Sequence, residues 1–142
     1  MKGVTPLYPN EAVTERVTTY SEQHTTALPA HLLEYHETVD SGRADSNYMI
    51  SNFQAQALLF LARAVGARRV LEVGVYAGYS SMVWAHAVGP GGRVTGLEFS
   101  GEFAAISREA FGKYGVGNVD IIEGDALKTY VEPHEHIYPL NT

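Results

Sequence analysis

The feature that most constrains this fold is an alternation of short apolar segments with helical ones. Residues 69–75 form a β-branched, almost wholly apolar run, which is typical of a parallel strand covered on both faces. Helical patterns over 79–88 and 101–114 follow, and each leads into a further strand pattern, over 93–99 and 119–123. This order predicts an α/β fold with right-handed crossovers, the first half of a doubly wound sheet with three parallel strands, in which the first strand is central.

Helical patterns also precede the first strand. Asn10 is a predicted N-cap, since its side-chain oxygen can accept the unpaired amide hydrogens of a first helical turn. A second helix is expected from about Pro29 to a break at 40–42. A third begins after Ser51 and ends near Gly66. Because such short helices are unstable alone, we expect them to pack on a larger unit.

The composition suits one domain. The chain has 142 residues, of which 45% are hydrophobic, and we expect a domain over 1–127 followed by an irregular tail over 128–142. The formal charge is −6 and the basic residues are scattered, so nucleic acid is not an expected partner. Cysteine is absent, which excludes disulfides and thiolate zinc sites. The longest apolar run, 55–65, is broken by Gln56 and Arg63 and is too short to span a membrane, so the sequence predicts a soluble, cytoplasmic protein.

A glycine-rich turn follows the first strand, where residues 72–81 read EVGVYAGYSS. Ligands of open α/β sheets bind at the carboxyl ends of the strands, and glycines there let the backbone approach a ligand. Gly74 and Gly78 suit that purpose. Their spacing lacks the G-x-G-x-x-G pattern that seats a pyrophosphate, so NAD or a nucleotide sugar is only a weaker alternative. Helical spacing places Tyr79 and Trp84 in the core.

Acidic residues follow the next two strands. Glu98 stands at the expected carboxyl end of the second strand, where a carboxylate can accept hydrogen bonds from both hydroxyls of a ribose. Asp125 follows the third strand and can accept a hydrogen bond from an adenine amino group, and the amide of Ala126 can contact a ring nitrogen. Three neighbouring strand ends are therefore predicted to form one adenosine site.

These motifs together resemble those of a known family. The segments 69–81, 93–98 and 124–126 are similar to the S-adenosylmethionine motifs of the cation-dependent O-methyltransferases of the caffeoyl-CoA and catechol type. The resemblance covers roughly residues 28–127. It implies S-adenosylmethionine as the cofactor, a Rossmann-like methyltransferase domain truncated after its first half, and methyl transfer to a hydroxyl of a small phenolic or catechol-type molecule.

The resemblance also implies roles for individual residues. Glu72 and Gly74 would lie near the methionine end of the cofactor. Tyr79 and Ser80 would contact its carboxylate region. Met49 resembles the family methionine that lies over the sulfonium, although a gap-filling core role is an equal alternative. The full expected set of cofactor-binding residues is Met49, Glu72, Gly74, Tyr76, Gly78, Tyr79, Ser80, Glu98, Asp125 and Ala126.

A divalent cation, Mg²⁺, is also implied by the resemblance. Its ligands in the relatives follow the fourth strand and lie further along, and they are absent here because this sequence ends about where a fourth strand would begin. No metal ligand and no catalytic residue is therefore predicted. His134 and His136, flanked by Glu132 and Glu135, could bind a metal, but such a pair in an irregular tail is more often solvated.

A sheet that lacks its second half leaves the central strand with unpaired backbone groups and a bare apolar side. We therefore expect a homodimer, or a partner chain that completes the fold. Two functions stay open. One is an O-methyltransferase whose site is completed by another chain or by the tail. The other is a catalytically inactive protein of the same origin that binds the cofactor or pairs with a relative.

Overall fold

The computed structural model describes residues 8–129, and within this range the expected alternation of helices and strands is confirmed. No helix there is both long and apolar enough to cross a membrane. The elements are α1 (Glu11–Gln23), α2 (Ala30–Gly42), a 3₁₀ turn (Ser46–Tyr48), α3 (Asn52–Ala64), β1 (Arg69–Val73), α4 (Tyr79–Val88), β2 (Arg93–Glu98), α5 (Gly101–Tyr114), β3 (Val119–Glu123) and α6 (Ala126–Thr129). Lys128 and Thr129, expected in the tail, belong to α6.

The sheet is parallel, with the strand order β1-β2-β3. Val73 pairs with Leu97 and Glu98 pairs with Glu123, so the strands end almost level. The predicted α/β class is confirmed. The prediction that the first strand is central is wrong for residues 8–129, because β2 is the middle strand and β1 lies at an edge. Since no strand of that range covers its outer side, β1 is only partly buried, and Val73 is 67% exposed.

Side-chain caps explain where three of the helices begin. The Asn10 side chain accepts from the Val13 amide at 3.0 Å, so the predicted cap of α1 is confirmed. At α3, Ser51 and Gln54 form a capping box, in which the side chain of each residue accepts from the amide of the other. Ser100 caps α5 in the same way as Asn10 caps α1. Each cap satisfies an amide that has no partner inside its helix.

The main core joins α2, α3 and α4 with the loop before α3, the turn after β1 and part of α5. Its buried side chains are Leu28, Leu32, Tyr35, Val39, Met49, Ala55, Leu59, Tyr76, Ala77, Tyr79, Met82, Val83, Ala110 and Phe111. By contrast, α1 buries no residue. Gln56 of α3 holds the end of α1 by donating to the carbonyl oxygen of Glu22 at 3.2 Å. The core thus places the segment around Met49 and the turn after β1 in one packed unit.

Candidate functional site

The carboxyl ends of the three strands form one continuous edge. The Gly74 amide donates to the Leu97 carbonyl at 2.8 Å, and the Gly124 amide donates to the Glu98 carbonyl at the same distance. The sheet hydrogen bonding therefore continues one residue past β1 and one past β3. As a result, the turn after β1 and the turn after β3 flank Glu98 on its two sides, as expected of neighbouring parallel strands.

The two glycines of the first turn occupy different surroundings. Gly74 has a φ of +82° and no atom within 4 Å of the position where a Cβ would stand, so it leaves open space beside the backbone. Gly78 has a φ of +88°, but a Cβ there would lie 2.9 Å from the Ser107 Cβ. Gly74 therefore leaves the backbone open to the cavity described below, whereas Gly78 allows the start of α4 to pack closely on α5.

Glu98 stabilises the turn after β1 by accepting hydrogen bonds from two of its backbone amides. It is 6% exposed, and its Oε2 accepts from the amides of Val75 at 2.8 Å and Tyr76 at 2.9 Å. Its Oε1 accepts from the Ser100 amide at 2.9 Å. A carboxylate offers about four acceptor positions, of which residues 8–129 occupy three, two on Oε2 and one on Oε1. Sequence reasoning indicated a sugar-binding carboxylate and missed this supporting role, because the two amides lie more than twenty positions away along the chain.

Glu72 lines the cavity described below, and its carboxylate accepts hydrogen bonds from uncharged donors. The Ser81 hydroxyl donates to its Oε2, and the Trp84 indole donates to its Oε1 at 3.1 Å. Burial raises the pKa of the Glu72 carboxyl above its ordinary value, and the hydrogen bonds from Ser81, Ser80 and Trp84 oppose that rise. Trp84 was expected in the core, but it is only partly buried, and its indole donates a hydrogen bond to the Glu72 carboxylate. The pattern that placed it there reports the spacing of apolar residues and carries no information about an indole hydrogen-bond partner.

Tyr76 has the only positive φ among the non-glycine residues of 8–129, at +53°. A conformation of this kind costs on the order of 1–3 kcal/mol, so surrounding contacts must hold it. Its hydroxyl donates to Asp45 Oδ1 at 2.6 Å, and its carbonyl accepts from Ser107 Oγ at 2.8 Å. Arg43 in turn hydrogen-bonds Asp45 and lowers the pKa of that carboxyl to about 2. Sequence analysis missed Arg43 and Asp45, because no local pattern signals a contact over such a separation.

A cavity of about 310 Å³ opens beside this turn. Its walls are the segment before α3, the end of β1, the turn itself and the start of α4. Six of the ten predicted site residues line it, namely Met49, Glu72, Gly74, Tyr76, Tyr79 and Ser80. Met49 is buried, and the ring of the exposed Tyr48 packs edge-on against Tyr76, with 6.0 Å between centroids. The other four predicted residues, Gly78, Glu98, Asp125 and Ala126, do not line the cavity.

Tyr79 lines the cavity, and its hydroxyl has a hydrogen-bond partner on α3. That hydroxyl donates to Asn52 Oδ1 at 2.6 Å. Burial raises the pKa of Tyr79 well above its ordinary value. Because the hydroxyl already has a partly buried partner, we expect the neutral phenol to act in packing.

The turn after β3 is more exposed to solvent than the turn after β1. Asp125 Oδ1 accepts from the Leu127 amide at 3.0 Å, which starts the four-residue helix α6 at Ala126. Two large apolar side chains stand exposed at the same edge of the sheet, Phe99 at 80% and Leu127 at 82%. The sequence pattern predicted a strand through residue 99, whereas β2 ends at Glu98 and Phe99 follows it.

The acidic residues near this edge do not fit a divalent cation. Within residues 8–129, no group of three or more His, Asp or Glu side chains is placed to hold a metal ion. Glu72 accepts from Ser81 and Trp84, Glu98 accepts from three backbone amides, and Asp45 is paired with Arg43. The histidines at 134 and 136 lie outside the described residues.

Comparison with known families gives one matching family model. The model described as O-methyltransferase matches residues 22–136. Among curated proteins, the O-methyltransferase ankF of Aspergillus thermomutatus is 36% identical over 138 residues, which are 92% of this chain and 57% of that protein. The catechol O-methyltransferase of Mycobacterium tuberculosis is 40% identical over 81 residues, which are 56% of this chain and 37% of that protein.

Solved structures give the same picture. The methyltransferase PaMTH1 of Podospora anserina, in its S-adenosylhomocysteine-bound form, superposes with a TM-score of 0.82 at 36% identity, covering 92% of this chain and 56% of that one. An O-methyltransferase from Bacillus cereus in complex with S-adenosylhomocysteine has a TM-score of 0.68 at 29% identity, covering 80% and 52%. The present chain spans about half the length of these relatives.

Proposed function

Because this chain belongs to the O-methyltransferase family, we propose that its sheet edge binds S-adenosylmethionine and serves methyl transfer to a hydroxyl of a small phenolic or catechol-type molecule. The observation that carries the proposal is the cavity lined by Gly74 and Met49 at the carboxyl end of β1. That edge is where ligands of parallel α/β sheets bind. The relatives from Podospora anserina and Bacillus cereus that hold S-adenosylhomocysteine support it.

We place the methionine end of the cofactor in the cavity. Glu72 lies there with neutral hydrogen-bond partners, so its carboxylate is suited to a cationic amino group. Gly74 leaves room for the ligand beside the backbone. Tyr79 and Ser80 open α4, whose first amides suit a carboxylate. Met49 offers a polarizable apolar contact near the sulfonium.

We place the adenosine along the rest of the edge. The open acceptor position on Glu98 Oε1 suits a ribose hydroxyl. Asp125 uses Oδ1 for the cap of α6, and its Oδ2 lies 3.9 Å from the exposed Lys128 ammonium and suits the adenine amino group as an acceptor. The Ala126 amide suits a ring nitrogen. The exposed ring of Phe99, directly after Glu98, gives the base an aromatic face for stacking. Tyr76 and Gly78 contribute indirectly, by holding the shape of the turn.

When bound, S-adenosylmethionine supplies a methyl group on a positively charged sulfur. The hydroxyl of the acceptor molecule would receive that methyl group. The residues of this chain contribute by alignment, since holding the two reactants in line removes much of the entropic barrier. The described acidic residues do not fit a divalent cation, so we assign no step to one and name no catalytic base.

Calorimetric titration with S-adenosylhomocysteine tests the proposal. The wild-type chain is expected to bind saturably at submillimolar concentration. Phe99→Ala is expected to weaken binding about tenfold, since stacking of one base on an aromatic ring contributes about 1–3 kcal/mol. Phe60→Ala is the matched control, because Phe60 is a similarly exposed phenylalanine on α3. Absence of binding by the wild-type chain at millimolar concentration would contradict the proposal.

A second candidate is cofactor binding without turnover, in a homodimer or with a completing partner chain. It is favoured by β1, whose outer side has no strand partner within residues 8–129. Labelled S-adenosylmethionine, Mg²⁺ and a panel of catechols separate the two candidates. Methyl transfer to a catechol supports the enzyme, and tight binding with no transfer supports the second candidate. Light scattering tests the oligomer, which a monomer at micromolar concentration would contradict.

The cytoplasmic location expected from the sequence stays a prediction. It is compatible with the acidic, cysteine-free composition. Fractionation of cells that express a tagged chain tests it directly, and recovery of the chain mainly in a membrane or secreted fraction would contradict it.

A further inference from the structure

We propose that Asp45, together with Arg43, is a positioning residue that holds Tyr76 and thereby shapes the cavity; this inference rests on the proposed cofactor site. Asp45 lies between α2 and the 3₁₀ turn, outside the cavity lining. Tyr76 lies in the turn after β1 and lines the cavity. The hydrogen bond between their side chains joins two parts of the chain that are 31 positions apart.

Asp45 is itself held firmly by Arg43. Arg43 Nε donates to Asp45 Oδ1 at 2.8 Å, and Arg43 Nη2 donates to Oδ2 at 3.0 Å, so the ion pair is bidentate. The Arg43 guanidinium also stands over the rings of Tyr76 and Phe103, at 5.8 Å and 5.6 Å from the centroids. This planar arrangement fixes the carboxylate oxygen that receives the Tyr76 hydroxyl.

Tyr76 transmits this constraint to the turn. Its positive φ is unfavourable for a residue with a side chain. The backbone on its two sides is tied to Glu98 and Ser107, and the ring packs edge-on against Phe103, with 4.8 Å between centroids. Among residues 8–129, the hydroxyl at the tip of the side chain bonds to Asp45 and Arg43. Without that pair the ring can rotate away, and the turn loses one of the restraints on its strained conformation.

The same pair also joins two walls of the cavity. Asp45 directly precedes the 3₁₀ turn, and Tyr48 and Met49 at its end line the wall that faces the turn after β1. The rings of Tyr48 and Tyr76 meet across this space. Because Asp45 bonds to Tyr76, the bond fixes the separation between the Met49 wall and the Gly74 wall. We therefore expect its loss to change ligand binding more than overall stability.

Titration of variants with S-adenosylhomocysteine tests the inference. Asp45→Ala is expected to weaken binding about tenfold. Asp45→Asn keeps an acceptor for the Tyr76 hydroxyl and should recover part of that loss. The control is Asp120→Ala, which removes the ion pair of Arg93 and Asp120, at 2.6 Å, on exposed side chains of the strands; binding should stay within about twofold of wild type. Wild-type affinity for Asp45→Ala would overturn the inference.

A double variant separates positioning from general destabilisation. If Asp45 acts through the Tyr76 hydroxyl, Asp45→Ala should cause little further loss of affinity in a Tyr76→Phe background. A merely structural role would give a second, additive loss, and that result would also overturn the inference.

Amide hydrogen exchange measures, in the absence of ligand, how firmly the turn after β1 is held. The amides of Val75 and Tyr76, which are bonded to Glu98, should exchange faster in Asp45→Ala than in wild type or Asp120→Ala. Unchanged exchange would overturn the inference even where binding is altered. If the wild-type chain fails to bind S-adenosylhomocysteine, the proposed function falls, and the exchange data alone decide whether Asp45 holds the turn.

Discussion

The turn after β1 and the turn after β3 lie at one edge of the same sheet, yet they are held in different ways. The first is buried over residues 75–77 and is fixed by Glu98 of β2, Ser107 of α5 and Asp45 of the segment after α2. The second is half-exposed, and its side-chain contacts are local to Asp125 and α6. From this difference we predict that a bound ligand protects the second turn against hydrogen exchange more than the first.

The largest expected effect is at Gly78, within the buried turn. Alanine there combines a strained φ with a clash against Ser107 and Phe111, whereas alanine at Gly74 has a similar φ and open space. We expect Gly78→Ala to lower the free energy of unfolding by about 3 kcal/mol and Gly74→Ala by about 1 kcal/mol. Urea denaturation measures both. Equal losses would show that packing on α5 does not distinguish the two glycines.

The next effect concerns the glutamates that end β2 and β3, which are paired in register. Glu98→Ala leaves the buried amides of Val75 and Tyr76 without their acceptor, so we expect a loss of about 2 kcal/mol in unfolding free energy, together with weaker binding of S-adenosylhomocysteine. Glu123→Ala removes only an exposed ion pair with Arg108, and about 0.5 kcal/mol or less is expected. Similar losses for both variants would contradict the contrast between the two turns.

A smaller effect is expected from the titration of Glu72, which makes the free energy of unfolding depend on pH. Burial raises the pKa of this carboxyl in the folded state above 4.5, so the folded state binds the proton more tightly than the unfolded state does. The contribution of this proton to the free energy of unfolding is therefore full below the pKa of Glu72 in the unfolded state. It is lost as the pH rises through the pKa of Glu72 in the folded state. Glu72→Gln should remove this decline, whereas the exposed control Glu123→Gln should keep it. Unfolding free energies measured from about pH 4 to pH 8 test this, and an unchanged decline in Glu72→Gln would contradict it.

The smallest change in stability is expected at Asp125. Asp125→Ala removes the cap of a four-residue helix at the open edge, and about 0.5 kcal/mol or less should be lost, because such a segment opens locally. Hydrogen exchange with and without S-adenosylhomocysteine completes the test. Protection should increase strongly over 124–127 and only slightly at Val75 and Tyr76. Equal protection of both turns would mean that the second turn is as preformed as the first.

Much of the fold follows from local patterns in the sequence. The helix starts at Asn10 and Ser51 were predicted because capping depends on residues within one turn. The strands were predicted because short apolar runs between helical patterns are characteristic of parallel sheets. The central position expected of β1 was not observed within residues 8–129, because strand order depends on which strands are available to pair and leaves no mark on the strand itself.

The candidate site could be predicted only in part. Glycines and acidic residues at strand ends are visible in the sequence, because the carboxyl edge of a parallel sheet collects them. The partners of those residues were not visible. Trp84 bonds to Glu72 and Asp45 bonds to Tyr76, and neither contact follows from helical or strand periodicity, since both depend on how elements pack.

By itself, the sequence determined the order of helices and strands, the glycine turn, and the acidic residues Glu98 at the end of β2 and Asp125 after β3, because these depend on spacing and on local backbone preference. Only the tertiary structure decided that Glu98 supports the turn, that Gly78 serves packing, and that Arg43 and Asp45 hold Tyr76. The physical reason is that a buried amide, a strained φ and an ion pair each require partners that lie close only after the chain has folded.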